Sequence, residues 1–476
     1  MDRYPLEMPG FTDPNPEWTA VETPFDRGVI AEVQIAPTAA LDQALAVARK
    51  TQDTSWKKTP AWKRAEIVRN VAGQIRSRHE ELAMLIASEG GKPLTDARVE
   101  ATRAAVTLEE CAAVAERLEG RQWSMQRAPG SESKLAFTIP EPIGVVLAIS
   151  AFNHPLNLVC HQAGAAIAAG NTCVLKPATS TPISAIELMR MFRKAGLPEE
   201  VLQTVVCSGK AASRMVESDL VDFITFIGSK KVGWGIRRAM ADGTRMAAEH
   251  GGQAASIVLD DADLDHTIAR ILKGGYYHAG QVCVSTQRLY VTKGIESRFT
   301  EKLVTGAKKL VEGDARDADT DVGALIETSE VTRVKEWVDE AKAGGAEVLL
   351  GGEARSKTLY GTTVLRGAAD DSKVIQDEIF GPVVVVQPVE SLDEAIARVN
   401  ASRDPFQASI FTQDIDDAFR AAREVEAAAF MVNELTAFRV DWMPFGGRKE
   451  AGLGLGGVEH GIHDMTEEKL IVIETR

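Results

Sequence analysis

The stretch Ile143-Gly-Val-Val-Leu-Ala-Ile-Ser150 is a short apolar run bounded by turn residues, as expected of a buried strand. Strand and helix patterns alternate after it: apolar runs occupy residues 172–175, 202–207 and 223–227, and helical spacing occupies residues 156–169 and 181–195. Because both faces of most of these strands are apolar, the alternation predicts a parallel sheet covered by helices. The first half of the chain is therefore predicted to be a doubly wound α/β unit.

The rest of the chain adds a second α/β unit and several peripheral segments. Strand and helix patterns alternate again from residue 256 to residue 422. Residues 1–36 are expected to be an extended lead-in with one short strand at residues 29–33, and residues 120–142, around Gly130, have the pattern of a projecting β-hairpin. The apolar tail, 469–473, needs a partner strand, either that hairpin or another subunit. Helical spacing predicts three helices ahead of the first sheet, over residues 38–53, 62–86 and 95–118.

Composition excludes several classes of protein. The 476 residues are 45% hydrophobic and carry a formal charge of −14 without a basic stripe, which disfavours nucleic acid or an anionic membrane surface as a partner. The five scattered cysteines lack Cys-x-x-Cys spacing, so we expect no disulfide framework and no metal site, and a reducing, cytoplasmic setting. The apolar runs fall far short of the roughly 20 residues that span a bilayer, so we expect no signal and no membrane segment.

Two local patterns point to chemistry, although each is weak alone. Phe226-Ile-Gly-Ser-Lys-Lys-Val-Gly233 leads from a strand into a helix, where backbone N–H groups can bind phosphate, but such a turn is more often plain helix capping. Cys283 follows glycine in Gly280-Gln-Val-Cys283, and a thiolate nucleophile needs a lowered pKa or a nearby base. Glu249, which precedes two glycines, is a candidate base. A free cysteine is otherwise usually a core residue.

Eight separated segments, in order, resemble the aldehyde dehydrogenase superfamily. They cover the chain from about residue 142 to the C-terminus, whereas the helical N-terminal third is less specific. The segments are Pro142-Ile-Gly-Val, Phe152-Asn-His-Pro155, Gly170-Asn-Thr-Cys-Val-Leu-Lys-Pro177, Phe226-Ile-Gly-Ser229, Glu249-His-Gly-Gly252, Gly280-Gln-Val-Cys283, Glu378-Ile-Phe-Gly-Pro382 and Pro444-Phe-Gly-Gly447.

The resemblance implies a role for each matching catalytic residue. Cys283 would attack an aldehyde carbonyl, and the Asn153 amide with the backbone N–H of Cys283 would hold the resulting oxyanion. After hydride transfer to a nicotinamide, Glu249 would activate the water that hydrolyses the thioester. The resemblance also implies a set of cofactor contacts, namely Lys176, Thr179, Gly228, Ser229, Glu378, Phe380 and Phe152. Departures from the family pattern leave these catalytic groups in place but bear on substrate and cofactor affinity: His250, Gln253, Ile227 and Ala451.

The cofactor's 2′ position is less defined. Many relatives that prefer NAD carry a glutamate three residues after the lysine, whereas here Lys176-Pro-Ala-Thr179 ends in a neutral hydroxyl. Lys230 and Lys231, beside the pyrophosphate turn, could add favourable charge. We therefore expect NAD(P) use with a preference for NADP or dual specificity, the alternative being that both lysines are simply solvated.

A small hydroxylated or anionic aldehyde is the expected substrate. The Phe152-Asn-His-Pro-Leu-Asn157 segment resembles the lactaldehyde, phosphonoacetaldehyde and non-phosphorylating glyceraldehyde-3-phosphate dehydrogenases. Arg103 lies where relatives that handle anionic aldehydes often place an arginine, although it could instead pair with Glu100 or Glu109. An aromatic aldehyde or a semialdehyde is the alternative substrate. The candidate substrate contacts are Arg103, His154, Val282, Val284 and Arg439, with His161 nearby.

The resemblance also implies the domain organisation and assembly. Residues 1–118 and 139–248 would form the dinucleotide-binding domain, 249–433 the catalytic domain, and 434–461 would return to the cofactor domain. Residues 119–138 and 462–476 would form an oligomerisation arm of a homodimer or homotetramer. Two other functions stay open: a thioesterase or CoA-acylating enzyme, which retention of the cofactor residues and of Glu249 disfavours, and a non-catalytic structural paralogue, which retention of Cys283 disfavours.

Overall fold

The computed structural model describes residues 2–475 and contains four β-sheets. The strands are β1 (Asp2–Tyr4), β2 (Glu17–Glu22), β3 (Val29–Ile35), β4 (Gln122–Trp123), β5 (Lys134–Pro142), β6 (Val145–Ile149), β7 (Thr172–Lys176), β8 (Leu202–Thr204), β9 (Phe223–Ile227), β10 (Arg245–Glu249), β11 (Ala254–Val258), β12 (Thr286–Thr292), β13 (Glu347–Leu350), β14 (Thr363–Arg366), β15 (Val383–Val389), β16 (Gln407–Phe411), β17 (Ala429–Val432), β18 (Gly452–Leu453) and β19 (Thr466–Glu474).

Helices connect most of these strands. They are α1 (Thr38–Thr54), α2 (Ala61–Ser77), α3 (His79–Gly90), α4 (Leu94–Glu116), α5 (Asn157–Val159), α6 (Ala165–Ala169), α7 (Ile183–Lys194), α8 (Gly209–Val216), α9 (Lys230–Ala239), α10 (Leu264–Tyr276), α11 (Lys293–Ala307), α12 (Thr328–Ala343), α13 (Lys373–Gln376), α14 (Leu392–Asn400), α15 (Ile415–Glu424) and α16 (Val458–Asp464). A π-helical turn, Cys160–Gly164, joins α5 to α6.

The first α/β unit is a six-stranded sheet in the order β18-β10-β9-β6-β7-β8. Its strands are parallel except the short β18, which runs antiparallel to β10. Alternate residues of β6 enter different cores, because Val146 faces the helices on one side while Val145 and Leu147 face those on the other. The predicted doubly wound α/β fold is confirmed, and the carboxyl ends of β6, β7 and β9 meet at one edge.

The second α/β unit is a seven-stranded sheet in the order β13-β14-β15-β12-β11-β16-β17. Only β13 runs antiparallel to its neighbour. A three-stranded arm lies apart, in which β19 pairs antiparallel with β5 along its whole length and β4 covers the other side of β5. The apolar tail therefore lies on the projecting hairpin.

Two peripheral predictions need correction. The strand expected at residues 29–33 is confirmed as β3, but the rest of the lead-in is not merely extended: β1 and β2 flank β3 in a three-stranded sheet, and these outer strands are short and half-exposed and so lack a clear apolar period. The single helix expected over residues 62–86 is two helices, because Arg78 leaves helical geometry at φ −108° and ψ 21° and ends α2. Neither glycine nor proline marks that break.

All five cysteines are free, and four are buried. Among residues 2–475, no helix combines the length and apolar character needed to cross a membrane.

A tight turn enters β6 at Gly144, which has φ +140°. A Cβ atom there would overlap the Asp222 carboxylate, which accepts a hydrogen bond from the Val145 N–H at 2.6 Å. We expect Gly144→Ala to lower the free energy of unfolding by about 2–4 kcal/mol. Gly73→Ala, in the open interior of α2, should instead raise it by about 0.5–1 kcal/mol. Urea midpoints measured by circular dichroism test the pair, and equal midpoints would contradict the packing argument.

Candidate active site

One cavity of about 1340 Å³ runs from the carboxyl ends of β6, β7 and β9 to Cys283. Thr179 does not line it, because its hydroxyl turns towards the Cys207 carbonyl at 3.4 Å, although Ala178 and Ser180 on either side do. Every other predicted site residue lies on its wall: Cys283, Glu249, Asn153, Lys176, Gly228, Ser229, Glu378, Phe380, Phe152, Arg103, His154, Val282, Val284 and Arg439.

The segment before Cys283 is tightly bent. His278, Ala279 and Gly280 all have positive φ, at 48°, 54° and 72°. A Cβ atom at the glycine would overlap the Gly381 carbonyl, so only glycine fits there. Left-handed conformation at two non-glycine residues stores strain, which is typical of functional sites. The bend holds Cys283 at the cavity wall.

Burial controls the resting state of Cys283. It raises the pKa of the thiol well above its ordinary value, and the nearby carboxylates of Glu249 and Glu378 raise the pKa further. The Arg439 guanidinium acts in the opposite direction. The resting side chain is therefore a thiol, and a thiolate requires either proton removal or additional positive charge beside the sulfur.

Asn153 links the two α/β units. It follows β6 in the first unit, and its side-chain amide donates a hydrogen bond to the carbonyl of Gln281, two residues before Cys283, at 2.9 Å. Gln281 is fixed in turn, because its side-chain oxygen accepts from the Ile326 N–H at 2.9 Å. The second N–H of the Asn153 amide stays available to a ligand.

Glu249 is the last residue of β10 and faces the cavity from the first unit. Burial raises the pKa of its carboxyl, and the Arg439 charge opposes the rise. The carboxylate packs so closely on Gly456 that a Cβ atom there would overlap it. A carboxyl with a raised pKa is suited to accept a proton near neutral pH.

The far end of the cavity has the groups that a dinucleotide needs. Lys176 ends β7 with its ammonium almost fully buried, where burial lowers its pKa and the Pro177 carbonyl at 3.0 Å is its hydrogen-bond acceptor. Ser229 precedes the first turn of α9, and its hydroxyl makes no capping bond. The Glu378 carboxylate accepts from the Gly252 N–H at 3.1 Å, and burial raises its pKa to about 8. A buried cation, a helix N-terminus and a carboxylate thus line one wall.

Two side chains near α9, those of Lys230 and His250, bind other groups of the same chain. Lys230 pairs with Asp404 at 2.8 Å and with Glu450 at 3.1 Å, so it is not simply solvated, and its contribution of favourable charge beside the pyrophosphate turn stays a prediction. His250 packs its ring against Trp234, with centroids 5.0 Å apart, and its Nδ1 lies 3.0 Å from the Glu450 carbonyl. Lys231, in contrast, is exposed.

Arg103 forms a two-pronged ion pair with Asp441, at 2.8 and 3.1 Å. The alternative pairing with Glu100 or Glu109 was wrong, because those carboxylates bind Lys92 and Arg76. Sequence spacing could not find Asp441, which lies 338 residues away.

His154 and Arg439 present nitrogen donors to the cavity. The buried Lys92 ammonium lies 2.8 Å from His154 Nδ1, and burial followed by that charge lowers the pKa of the imidazole to about 4. Because an ammonium can only donate, Nδ1 must accept and Nε2 must carry the proton. Arg439 stacks 3.6 Å above the Phe445 ring, and among the described residues it has no carboxylate partner.

Residues 2–475 contain no cluster of three or more His, Cys, Asp or Glu side chains suited to a metal ion.

Comparison with known proteins gives consistent matches over nearly the whole chain. A model described as the aldehyde dehydrogenase family matches residues 11–471. A protein named 3-sulfolactaldehyde dehydrogenase, from Priestia aryabhattai, is 40% identical over 99% of this chain and 98% of its own. The structure of aldehyde dehydrogenase 21 from Physcomitrella patens, in complex with the reaction product succinate, has a TM-score of 0.96 at 32% identity and covers 99% of this chain and 98% of its own. The NADP complex of glyceraldehyde-3-phosphate dehydrogenase GapN from Methanocaldococcus jannaschii has a TM-score of 0.92 at 33% identity, over 97% of this chain and 100% of its own.

Proposed function

The chain belongs to the aldehyde dehydrogenase family, and from that premise we propose that Cys283, Asn153 and Glu249 oxidise a small hydroxylated or anionic aldehyde to its carboxylic acid. Enzymes of this family use NAD or NADP, and this chain is an NAD(P)-dependent aldehyde dehydrogenase. The observation that supports the residue roles is their meeting on one cavity wall although they come from both α/β units. The same cavity reaches the buried Lys176 and the N-terminus of α9.

The proposed reaction has an acylation and a hydrolysis stage. The Cys283 thiol first loses its proton to solvent, and its sulfur then adds to the aldehyde carbon, so that the carbonyl oxygen becomes an oxyanion held by the free Asn153 N–H and the Cys283 backbone N–H. The nicotinamide, when bound, supplies the acceptor for the hydride that leaves this carbon, which produces a thioester. Glu249 then takes a proton from water, the hydroxide adds to the thioester, and the C–S bond breaks to release the acid.

Cofactor residues fit this chemistry. The Lys176 ammonium donates to the Pro177 carbonyl and has further N–H donors for ribose hydroxyls. Ser229 and the first turn of α9 offer donors to a pyrophosphate. The Glu378 carboxylate offers an acceptor to the second ribose. Phe152 and Phe380 meet edge-to-face at 5.9 Å and would close the wall beside the nicotinamide.

The substrate proposal rests on the donors beside Cys283. His154 and Arg439 both line the cavity, and both suit a hydroxyl or an anionic group. The imidazole offers its Nε2 proton, and the Arg439 guanidinium, whose Nη2 lies 3.3 Å from His161 Nε2, has no carboxylate partner among the described residues. Three relatives have names that fit this class: one acts on 3-sulfolactaldehyde, one was solved with succinate, and one acts on glyceraldehyde 3-phosphate. Each of these compounds carries an anionic group at the end remote from the reacting carbon.

A panel of aldehydes, followed by the absorbance of reduced nicotinamide, tests the function. We expect sulfonated, carboxylated or hydroxylated short aldehydes to be oxidised in preference to long-chain alkyl ones, and Cys283→Ala to abolish the signal. Glu249→Gln should release about one equivalent of reduced cofactor per subunit in a rapid burst and then turn over roughly 10²- to 10⁴-fold more slowly, because only hydrolysis needs the base. The absence of any active aldehyde, or full activity of the alanine variant, would refute the proposal.

The rate of the hydrolysis stage should rise with pH. Glu249 acts as a base only when deprotonated, and burial raises its pKa, so hydrolysis should accelerate with pH and reach half its maximum above the ordinary glutamic acid pKa of about 4.3. The slow turnover of Glu249→Gln that follows the burst should show no such rise in rate with pH.

We propose that NADP is accepted at least as well as NAD. No carboxylate occupies position 179, Thr179 lies against Cys207, and the exposed Lys210 follows in the first turn of α8. Thr179→Glu should weaken NADP binding about 10-fold or more and leave NAD binding unchanged or improved, because a carboxylate repels a 2′-phosphate and accepts bonds from ribose hydroxyls. Fluorescence titration of both cofactors measures this, with Thr54→Glu, on the exposed end of α1, as the matched control. An unchanged NADP affinity would contradict the assignment.

We propose that the arm joins subunits into a homodimer or homotetramer. On β19, Leu470, Val472 and Ile473 are exposed at 58%, 51% and 44%, an unusual apolar density for an edge strand. Light scattering should show a multiple of the 51.4 kDa chain, and Leu470→Glu should shift it towards the monomer. Val311→Glu, at an equally exposed valine outside the arm, should leave the mass unchanged. A monomeric wild type would contradict the proposal.

A further inference from the structure

Helix α4 presents an inward-facing row of polar side chains, here called the α4 stripe: Asp96, Glu100, Arg103 and Thr107. The spacing of i, i+4, i+7 and i+11 places them on one face of the helix. Such a row usually marks the solvent side, yet three of the four residues are buried and Arg103 is largely so. Burying charge is unfavourable without close partners, so the partners of this row matter.

We propose that the α4 stripe is a set of positioning residues that fixes three active-site segments relative to one another. The segments are the Asn153 loop (153–157), the nucleophile segment (277–283) and the C-terminal loop (439–445). The proposal rests on the proposed function, because it explains how the groups assigned there are held in register.

Glu100 holds the Asn153 loop. One of its carboxylate oxygens accepts from the backbone N–H groups of Leu156 and Asn157, at 3.0 and 3.1 Å. The other oxygen pairs with the Lys92 ammonium, and both side chains are completely shielded from solvent. Burial alone would raise the pKa of Glu100, but the Lys92 ammonium holds it well below its ordinary value, so the group stays charged. Charged acceptors form the stronger hydrogen bonds.

Asp96, one turn earlier, holds the nucleophile segment. The Lys273 ammonium, near the end of α10, pairs with its carboxylate, and the backbone N–H of His278 lies against the same group. The Tyr277 ring lies beside two ammonium groups: its centroid is 5.1 Å from Lys273 Nζ and 5.8 Å from Lys92 Nζ. The strained turn before Cys283 is thus attached to α4 at its beginning.

Arg103 and Thr107 hold the C-terminal loop. Asp441, two residues after Arg439, receives the two-pronged bond of Arg103 and also the Asn157 amide at 3.2 Å. The Thr107 hydroxyl donates to the Asn157 side-chain oxygen at 2.8 Å. The C-terminal loop is therefore attached to α4 through Arg103 and the Asn153 loop through Thr107, and the two loops contact each other where the Asn157 amide meets Asp441.

One helix can set this register because the three segments come from distant parts of the chain and from both α/β units. Catalytic groups must stay within about 0.5 Å of their productive positions, and a misplacement near 1 Å costs about 10²-fold in rate. Loops that were attached only to their own sheets would move with each unit separately. Hydrogen bonds to charges that are rigid on a helix supply the common reference.

Three single variants test the stripe segment by segment, with hydrogen exchange followed by mass spectrometry as the first readout. Asp96→Asn should accelerate exchange in 277–283, Glu100→Gln in 153–157, and Arg103→Met in 439–445, while both central sheets keep wild-type protection. Arg98→Met is the control, because Arg98 is on α4 but pairs with the exposed Glu80 outside the stripe. Because the three variants are independent, the loss of one through misfolding leaves two that decide the question.

Kinetics and cofactor titration supply the second readout. Each variant should lower kcat by roughly 10- to 100-fold while the Kd for NAD(P) stays within about twofold, since the stripe is not a part of the cofactor wall. Replacing Arg103 by Lys should restore part of the kcat that Met loses, because a cation remains opposite Asp441.

The two proposals fail in different ways. If the wild type oxidises no aldehyde, the proposed function fails and hydrogen exchange alone decides the stripe. Unchanged exchange in the paired segment, or an acceleration spread evenly over the whole protein, overturns the positioning role. A rise in KM with an unaltered kcat in Arg103→Met also overturns it for that residue, because it would show direct binding of substrate.

Discussion

The Glu100 carboxylate and the Lys92 ammonium form an ion pair from which solvent is fully excluded. Neither charge could stay buried without the other, and the remaining hydrogen-bonding capacity of Glu100 is directed at two backbone N–H groups of the loop that contains Asn153. Lys92 in turn determines which nitrogen of His154 is protonated. A single buried pair thus connects a helix of the first α/β unit to the loop that contains Asn153 and to the candidate substrate contact His154.

Inside the cavity, the pKa shifts have the opposite sign to that of Glu100, whose pKa is lowered. The pKa values of Cys283, Glu249 and Glu378 are all raised because burial disfavours their charged forms. Arg439 opposes the effect at the first two groups. Because burial and the nearby carboxylates both disfavour negative charge on the sulfur, a group that brings positive charge would favour the thiolate. A hydroxylated or anionic aldehyde would meet His154 and Arg439 as donors in the same space.

The elements of the fold differ in how strongly the local sequence pattern indicates them. The run over 143–150 predicted β6 correctly because a central parallel strand is apolar on both faces, a signal that needs no knowledge of its neighbours. The strands β1 and β2 were missed because an outer strand on a small sheet has no such signal, and its formation depends on β3 being beside it. The break at Arg78 was missed because the residue that leaves helical geometry is an arginine, and neither glycine nor proline marks the end of α2.

Local pattern by itself determined the doubly wound α/β fold, because apolar strands and periodic helices leave a signal in the sequence. The candidate site residues Cys283, Asn153, Glu249, Lys176, Ser229 and Glu378 came from the resemblance of ordered segments to the aldehyde dehydrogenase superfamily. Only the tertiary structure decided how the charges pair. Arg103 binds Asp441 across 338 residues, Lys230 is taken by Asp404 and Glu450, and Thr179 turns away from the cavity. The physical reason is that a buried charge selects whichever opposite charge the fold brings within about 3–4 Å, and distance along the chain contains no information about that approach.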